Sequence, residues 1–141
     1  QMWVEDATIE YDRIQADRDP SDRDAWDRRR NSLWAYLQLI DDMDYRNLAN
    51  LLVTGEFEIY KVDNSRAFRW KASLREPEAL RQFSRAMIDR LRDIDEDEWR
   101  GELGPWLEDG RLDAFLARRA ELLELVDRRI AEDGEEAVLF P

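Results

Sequence analysis

The stretch LDAFLARRAELLELVDRRI, residues 112–130, decides the fold class. Leu112, Phe115, Leu116, Leu122, Leu123, Val126 and Ile130 recur at spacings of three and four, which puts them on one side of an α-helix turning about 100° per residue. The pattern stops before Gly134, so a helix is expected from about Leu112 to Glu132. Arg119 falls in the middle of the apolar stripe. A guanidinium cannot shed its charge in a dry setting, so it must find acceptors. Two readings of Arg119 stay open: an internal strut paired with a carboxylate, or a groove residue that holds an anion or a partner's carboxylate.

Working outward, the same period recurs upstream. Trp26, Leu33, Leu37 and Ile40 mark a helix from about Ser21 to Asp42, after the break at Pro20. Pro77 is a good first helical residue, and Leu80, Phe83, Met87, Leu91 and Ile94 carry the stripe of a helix to about Ile94. A helix over 3–18, with Trp3, Ala7, Tyr11 and Ile14, competes with a short strand suggested by the alternation of Ala7, Ile9 and Tyr11. Asp44 caps a short helix over Tyr45–Val53. The apolar tail Ala137–Pro141 reads either as a segment docked in extended form or as the start of a further element.

The period changes once. Residues 56–62 alternate and are rich in aromatic and β-branched side chains, Asp63-Asn64-Ser65 is turn chemistry, and residues 66–72 alternate again. That reads as a two-stranded β-hairpin over 56–72, with Phe57 and Ile59 facing Phe68 and Trp70. The expected fold is therefore mainly α: one domain over 1–141, a bundle of about five helices with an inserted hairpin.

Composition narrows the function. The chain has no cysteine and no histidine. Thiolate chemistry, a disulfide framework, imidazole general bases and His or Cys metal ligands are all excluded. No Gly-rich phosphate loop, GxSxG or Walker sequence is present, and nothing calls for a cofactor. Asp93-x-Asp95-x-Asp97 starts like a calcium loop but has Glu98 where glycine is needed and Gly104 where the closing glutamate is needed. No apolar run is long enough to span a membrane, and the acidic start is unlike a signal peptide. A cytoplasmic location is the expectation.

Thirty-four acidic residues against 22 basic ones give a net charge of −12, which on average repels nucleic acid. The charge is uneven. Segment 61–92 is +5, so the rest of the chain is −17. Tyr60, Lys61, Arg66, Arg69, Trp70 and Lys71 form the part of this basic island where aromatics and cations interleave, and with Arg119 they are the candidate binding residues. The preferred reading is a non-catalytic protein–protein interaction or regulatory protein with a partner of basic character. A nucleic-acid or nucleotide-binding module using 61–92 and an acidic nucleic-acid mimic are the alternatives.

Overall fold

In a computed structural model, described over residues 4–141, the chain is mainly α-helical with a small three-stranded sheet. The elements are β1 (Ala7–Ile9), α1 (Glu10–Gln15), α2 (Arg23–Leu39), β2 (Leu51–Thr54), β3 (Ile59–Lys61), β4 (Phe83–Ser84), α3 (Arg85–Asp93), α4 (Glu96–Leu103), α5 (Asp109–Asp133), α6 (Glu135–Val138) and β5 (Leu139–Phe140). Trp3, expected in the first helical stripe, lies outside the described residues.

The two long helices stand where their periodicity puts them. Asp22 caps α2, its Oδ1 accepting the Ala25 N–H at 2.9 Å. Helix α5 ends at Gly134, whose φ of 87° suits glycine alone at low cost. It packs against α2, α3, α4 and α6. Ala35 and Leu39 from α2, Ile88 and Leu91 from α3, and Phe115, Leu122 and Val126 from α5 form the core, with Leu80 and Phe83 filling it from the loop side.

Three expectations are corrected. Residues 45–53 are not a helix. A single 3₁₀ turn, Leu48–Asn50, is capped by Asn47 and runs into β2. Leu51 and Val53 are buried while Leu52 and Thr54 are not, which is strand alternation. The hairpin is also shifted toward the N-terminus: β3 pairs antiparallel with β2, and β2 with β1, in the order β1-β2-β3. Residues 66–72 are not a strand. The Phe68 N–H is spent on the Ile40 carbonyl at the end of α2, at 2.5 Å. Finally, Pro77–Ala79 forms one 3₁₀ turn only, and the helix begins at Arg85, where Ser84 supplies the cap. The chain before that cap is extended, so Phe83–Ser84 can pair in parallel with the tail segment Leu139–Phe140. Of the tail, Leu139–Phe140 docks as an extended segment, while Ala137 and Val138 belong to the short helix α6.

Candidate functional site

Helix α2 stops in a way that shapes the interior. Asp41 sits at φ 48°, its N–H bonds to Gln38 O, and the Asp42 N–H bonds back to Leu37 O at 3.0 Å. This is the Schellman pattern with aspartate in the place usually taken by glycine. It turns both carboxylates inward, where they are fully buried. Arg75 Nη2 lies 2.6 Å from Asp41 Oδ1, and Lys61 Nζ lies 3.1 Å from Asp42 Oδ2. Arg118 completes the cluster at 0% exposure. Its Nε donates to Leu39 O at 2.7 Å and its Nη1 to the carbonyl of Lys71. Desolvation lowers the Arg118 pKa, and the neighbouring Asp41 carboxylate opposes that shift.

Each candidate from the sequence can now be placed. Lys61 is turned inward to Asp42 and also donates to the carbonyls of Val62 and Asp63. Arg66 pairs with Asp44 at 3.0 Å. Lys71 donates to Leu74 O. Farther along the segment, Arg85 pairs with Glu135 and Arg92 with Asp127. Most cations of the basic island thus have internal acceptors, while among the described residues the side chains of Arg69, Arg81 and Arg90 are exposed and have none. Arg66, Lys71 and Arg92 are bonded but still reach the surface. Trp70 is 54% exposed and packs closely against Gly110, with the Arg111 guanidinium 5.0 Å from its ring centroid. Arg119 has no carboxylate partner among the described residues. It is half-buried, and its Nε and Nη2 donate to Leu91 O and Ile94 O, both at 2.7 Å, at the C-terminal end of α3. The fully buried arginine of α5 is its neighbour, Arg118, because α5 is flanked on that side by the end of α2 and the 69–75 segment. Acidic residues near Asp95 are used locally: Asp95 caps α4 by accepting the Glu98 N–H at 2.8 Å.

Tyr60 belongs to a groove. Helix α2 provides the floor, with Leu33 and Tyr36; β3 provides one wall, and Met87 with Phe140 the other. The hollow is about 440 Å³. It continues past Ile59 and Tyr60 into a second hollow of about 640 Å³, lined by Ala7, Leu52 and Val62. Charges along the groove are internally engaged. The Tyr60 hydroxyl donates to Glu58 at 3.0 Å, Lys61 is held by Asp42, and Arg29 donates to the Phe57 carbonyl at 2.9 Å. What remains to meet a ligand is mainly apolar and aromatic, with Ser32, Ser84 and Asn64 among the lining, and Tyr36 is 41% exposed.

Both groove tyrosines hold their protons tightly. Partial burial, reinforced by the Asp42 carboxylate, raises the Tyr36 pKa, and the hydrogen bond to Glu58 raises that of Tyr60. Folding therefore favours the neutral phenols. That contribution is complete below the ordinary value of about 10 and is lost as pH rises through the raised folded-state values. In an ultraviolet titration, Tyr36→Phe is expected to remove absorbance change from the late, high-pH end of the tyrosinate curve and not from its early part.

No protein-family model, no curated protein and no solved structure matches this chain. Among the described residues, no helix is long and apolar enough to cross a membrane. The groove was only partly legible in the sequence. The alternation around Tyr60 marked one wall, but the floor needs the α2 face at Leu33 and Tyr36, whose apolar side chains read equally well as core.

Proposed function

We propose that this chain acts by holding a partner protein in the groove between α2 and β3, and catalyses no reaction of its own. The observation that carries the reading is a continuous apolar channel rimmed by Tyr36 and Tyr60, in which the charged side chains are already engaged within the chain. Aromatic residues at the mouth of a desolvated hollow are the residues that dominate protein–protein binding. The absence of histidine and cysteine removes the commonest general base and nucleophile, and the buried carboxylates Asp41 and Asp42 are paired within the chain. A net charge of −12 steers encounters toward a basic partner.

The same internal pairing argues against a nucleic-acid role for segment 61–92. The protein is expected to flow through heparin resin at moderate salt; retention there would favour the nucleic-acid reading instead. The direct test is selection of short random peptides displayed against the wild-type chain. Enriched peptides should lose about tenfold or more in affinity on Tyr36→Asp and be unaffected by Trp106→Ser, a change at an 83% exposed side chain of the α4–α5 turn. Peptides indifferent to Tyr36→Asp would overturn the groove as the binding site.

A further inference from the structure

The ladder between β2 and β3 determines which main-chain groups of β3 are spent. Thr54 N–H bonds to Glu58 O at 3.1 Å and Val62 N–H to Asn50 O at 2.9 Å, while Leu52 stands opposite Tyr60. In an antiparallel pair the bonded residues alternate. Glu58, Tyr60 and Val62 therefore turn their main-chain groups to β2. Ile59 and Lys61 turn theirs away from it. Because β3 is the last strand in the order β1-β2-β3, that direction is the free edge of the sheet. Among the described residues nothing is hydrogen-bonded to the main-chain N–H or C=O of Ile59 or Lys61. At the other edge, Arg18 closes over β1 by donating to Thr8 Oγ1 at 2.9 Å.

Both hollows of the groove lie along this edge, and Ile59 and Tyr60 line both. A strand laid beside β3 would send alternate side chains to opposite faces of the sheet. One set would meet Leu33, Tyr36 and Phe140; the other would meet Leu52 and Val62. The chain already uses this chemistry once, on the far wall, where its own Leu139–Phe140 lies beside Phe83–Ser84. At the turn end of β3 there is also a third hollow of about 470 Å³, lined by the exposed carboxylates of Glu5, Asp6, Glu56 and Glu58. No ion pair reaches these four carboxylates among the described residues.

We propose that the free edge of β3 is a strand-addition site that takes an extended segment of a partner protein, apolar at alternate positions and carrying an Arg or Lys where it passes the Glu5–Asp6–Glu56–Glu58 hollow. The inference rests on the groove reading and names what enters it. A second copy of this chain is the poorer occupant, because two chains of net charge −12 repel each other.

The test uses the whole chain and a displayed library with Val, Ile, Leu or Phe fixed at alternate positions and one flanking Arg or Lys. Its control is a library of the same composition with the apolar residues contiguous. The alternating library should enrich. Its synthetic representatives should slow amide exchange at Ile59 and Lys61, and lose about tenfold or more in affinity when their own alternate amides are N-methylated. Ile59→Pro removes one outward N–H without touching the β2 ladder, and Pro is tolerated on an edge. This variant, if folded by circular dichroism, should bind as weakly as the methylated peptides bind wild type; the methylated peptides themselves need no folded variant. The charge reversals Glu5→Lys and Glu56→Lys should weaken the flanked peptides, and unchanged affinity would remove the basic residue from the proposal. Peptides sensitive to Tyr36→Asp but indifferent to N-methylation would overturn strand addition and leave groove binding standing. Indifference to both would remove the groove reading itself. A dimer of this chain with Ile59 and Lys61 protected would overturn the assignment to a different partner.

Discussion

Replacing Arg118 by alanine is expected to destabilise the fold by about 3–5 kcal/mol, one of the two largest effects expected of a single substitution in the chain. Arg118 is fully buried and bonds from α5 to both the end of α2 and the 69–75 segment. Its Nε caps the Leu39 carbonyl at the end of α2, its Nη1 bonds to the Lys71 carbonyl, and Arg69 O lies 3.4 Å from the same nitrogen. Removing the guanidinium leaves these carbonyls in an interior without water and takes away a cation that faces Asp41. A total stability of about 5–15 kcal/mol is typical of such a domain, so the variant would sit near its folding limit. Arg118→Lys keeps the charge but not the planar fork, and should recover only part of the loss. The neighbouring Arg119→Ala removes two bonds at the half-buried end of α3 and should cost about 1–3 kcal/mol. Urea denaturation with a common slope orders the variants. A larger loss at Arg119 than at Arg118 would reverse the assignment of the buried strut.

That pair of arginines also marks how far the sequence could be read. The stripe on α5 correctly gives a helix with one wide buried side. Its apolar members centre on Arg119, however, and only tertiary packing reveals that the end of α2 and the 69–75 segment extend the buried arc to Arg118. Periodicity on one helix carries no information about the depth of each neighbour. Residues 45–53 failed for a different reason: Leu48, Leu51 and Leu52 satisfy the helical spacing, and the apolar run Leu51-Leu52-Val53 is too short to mark a strand without knowledge that β1 and β3 lie on either side. The hairpin was misplaced because Asp63-Asn64-Ser65 is a true turn that does not return the chain to β3. Ser65 N–H and Oγ–H both bond to Asp63 Oδ1, at 3.2 and 2.6 Å, and the following segment crosses to the end of α2. Of the candidate site, the alternation at Tyr60 and Lys61 was legible. The inward turn of Lys61 was not, since its partner, Asp42, owes its burial to an aspartate in a left-handed cap.

The second large effect is expected at that pair. Lys61 Nζ and Asp42 Oδ2 are 3.1 Å apart, with side chains 4% and 0% exposed. Asp42 Oδ1 accepts the Asp44 N–H at 2.7 Å, so its carboxylate also shapes the turn that follows α2. Lys61→Met keeps the length of the side chain but leaves Asp42 buried without its countercharge, and about 3–5 kcal/mol should be lost. Adding Asp42→Asn removes that charge while keeping an oxygen for the Asp44 N–H. The double variant should therefore be more stable than the sum of the single losses implies, with a coupling energy of about 0.5–3 kcal/mol from the four-protein cycle. Strong salt distinguishes this from a surface effect. The Arg92–Asp127 pair, 2.5 Å apart and largely exposed, should couple by less than about 1 kcal/mol and weaken further near 1 M salt. The Lys61–Asp42 coupling should persist there, because ions cannot enter between buried partners. Lys61 is also the residue through which β3 is tied to the end of α2. Its removal should speed amide exchange along Ile59–Val62 more than along β1, even where the helices remain folded. Equal acceleration of both strands would mean that the sheet opens as one unit and that the Lys61 tether does not set the position of the β3 edge.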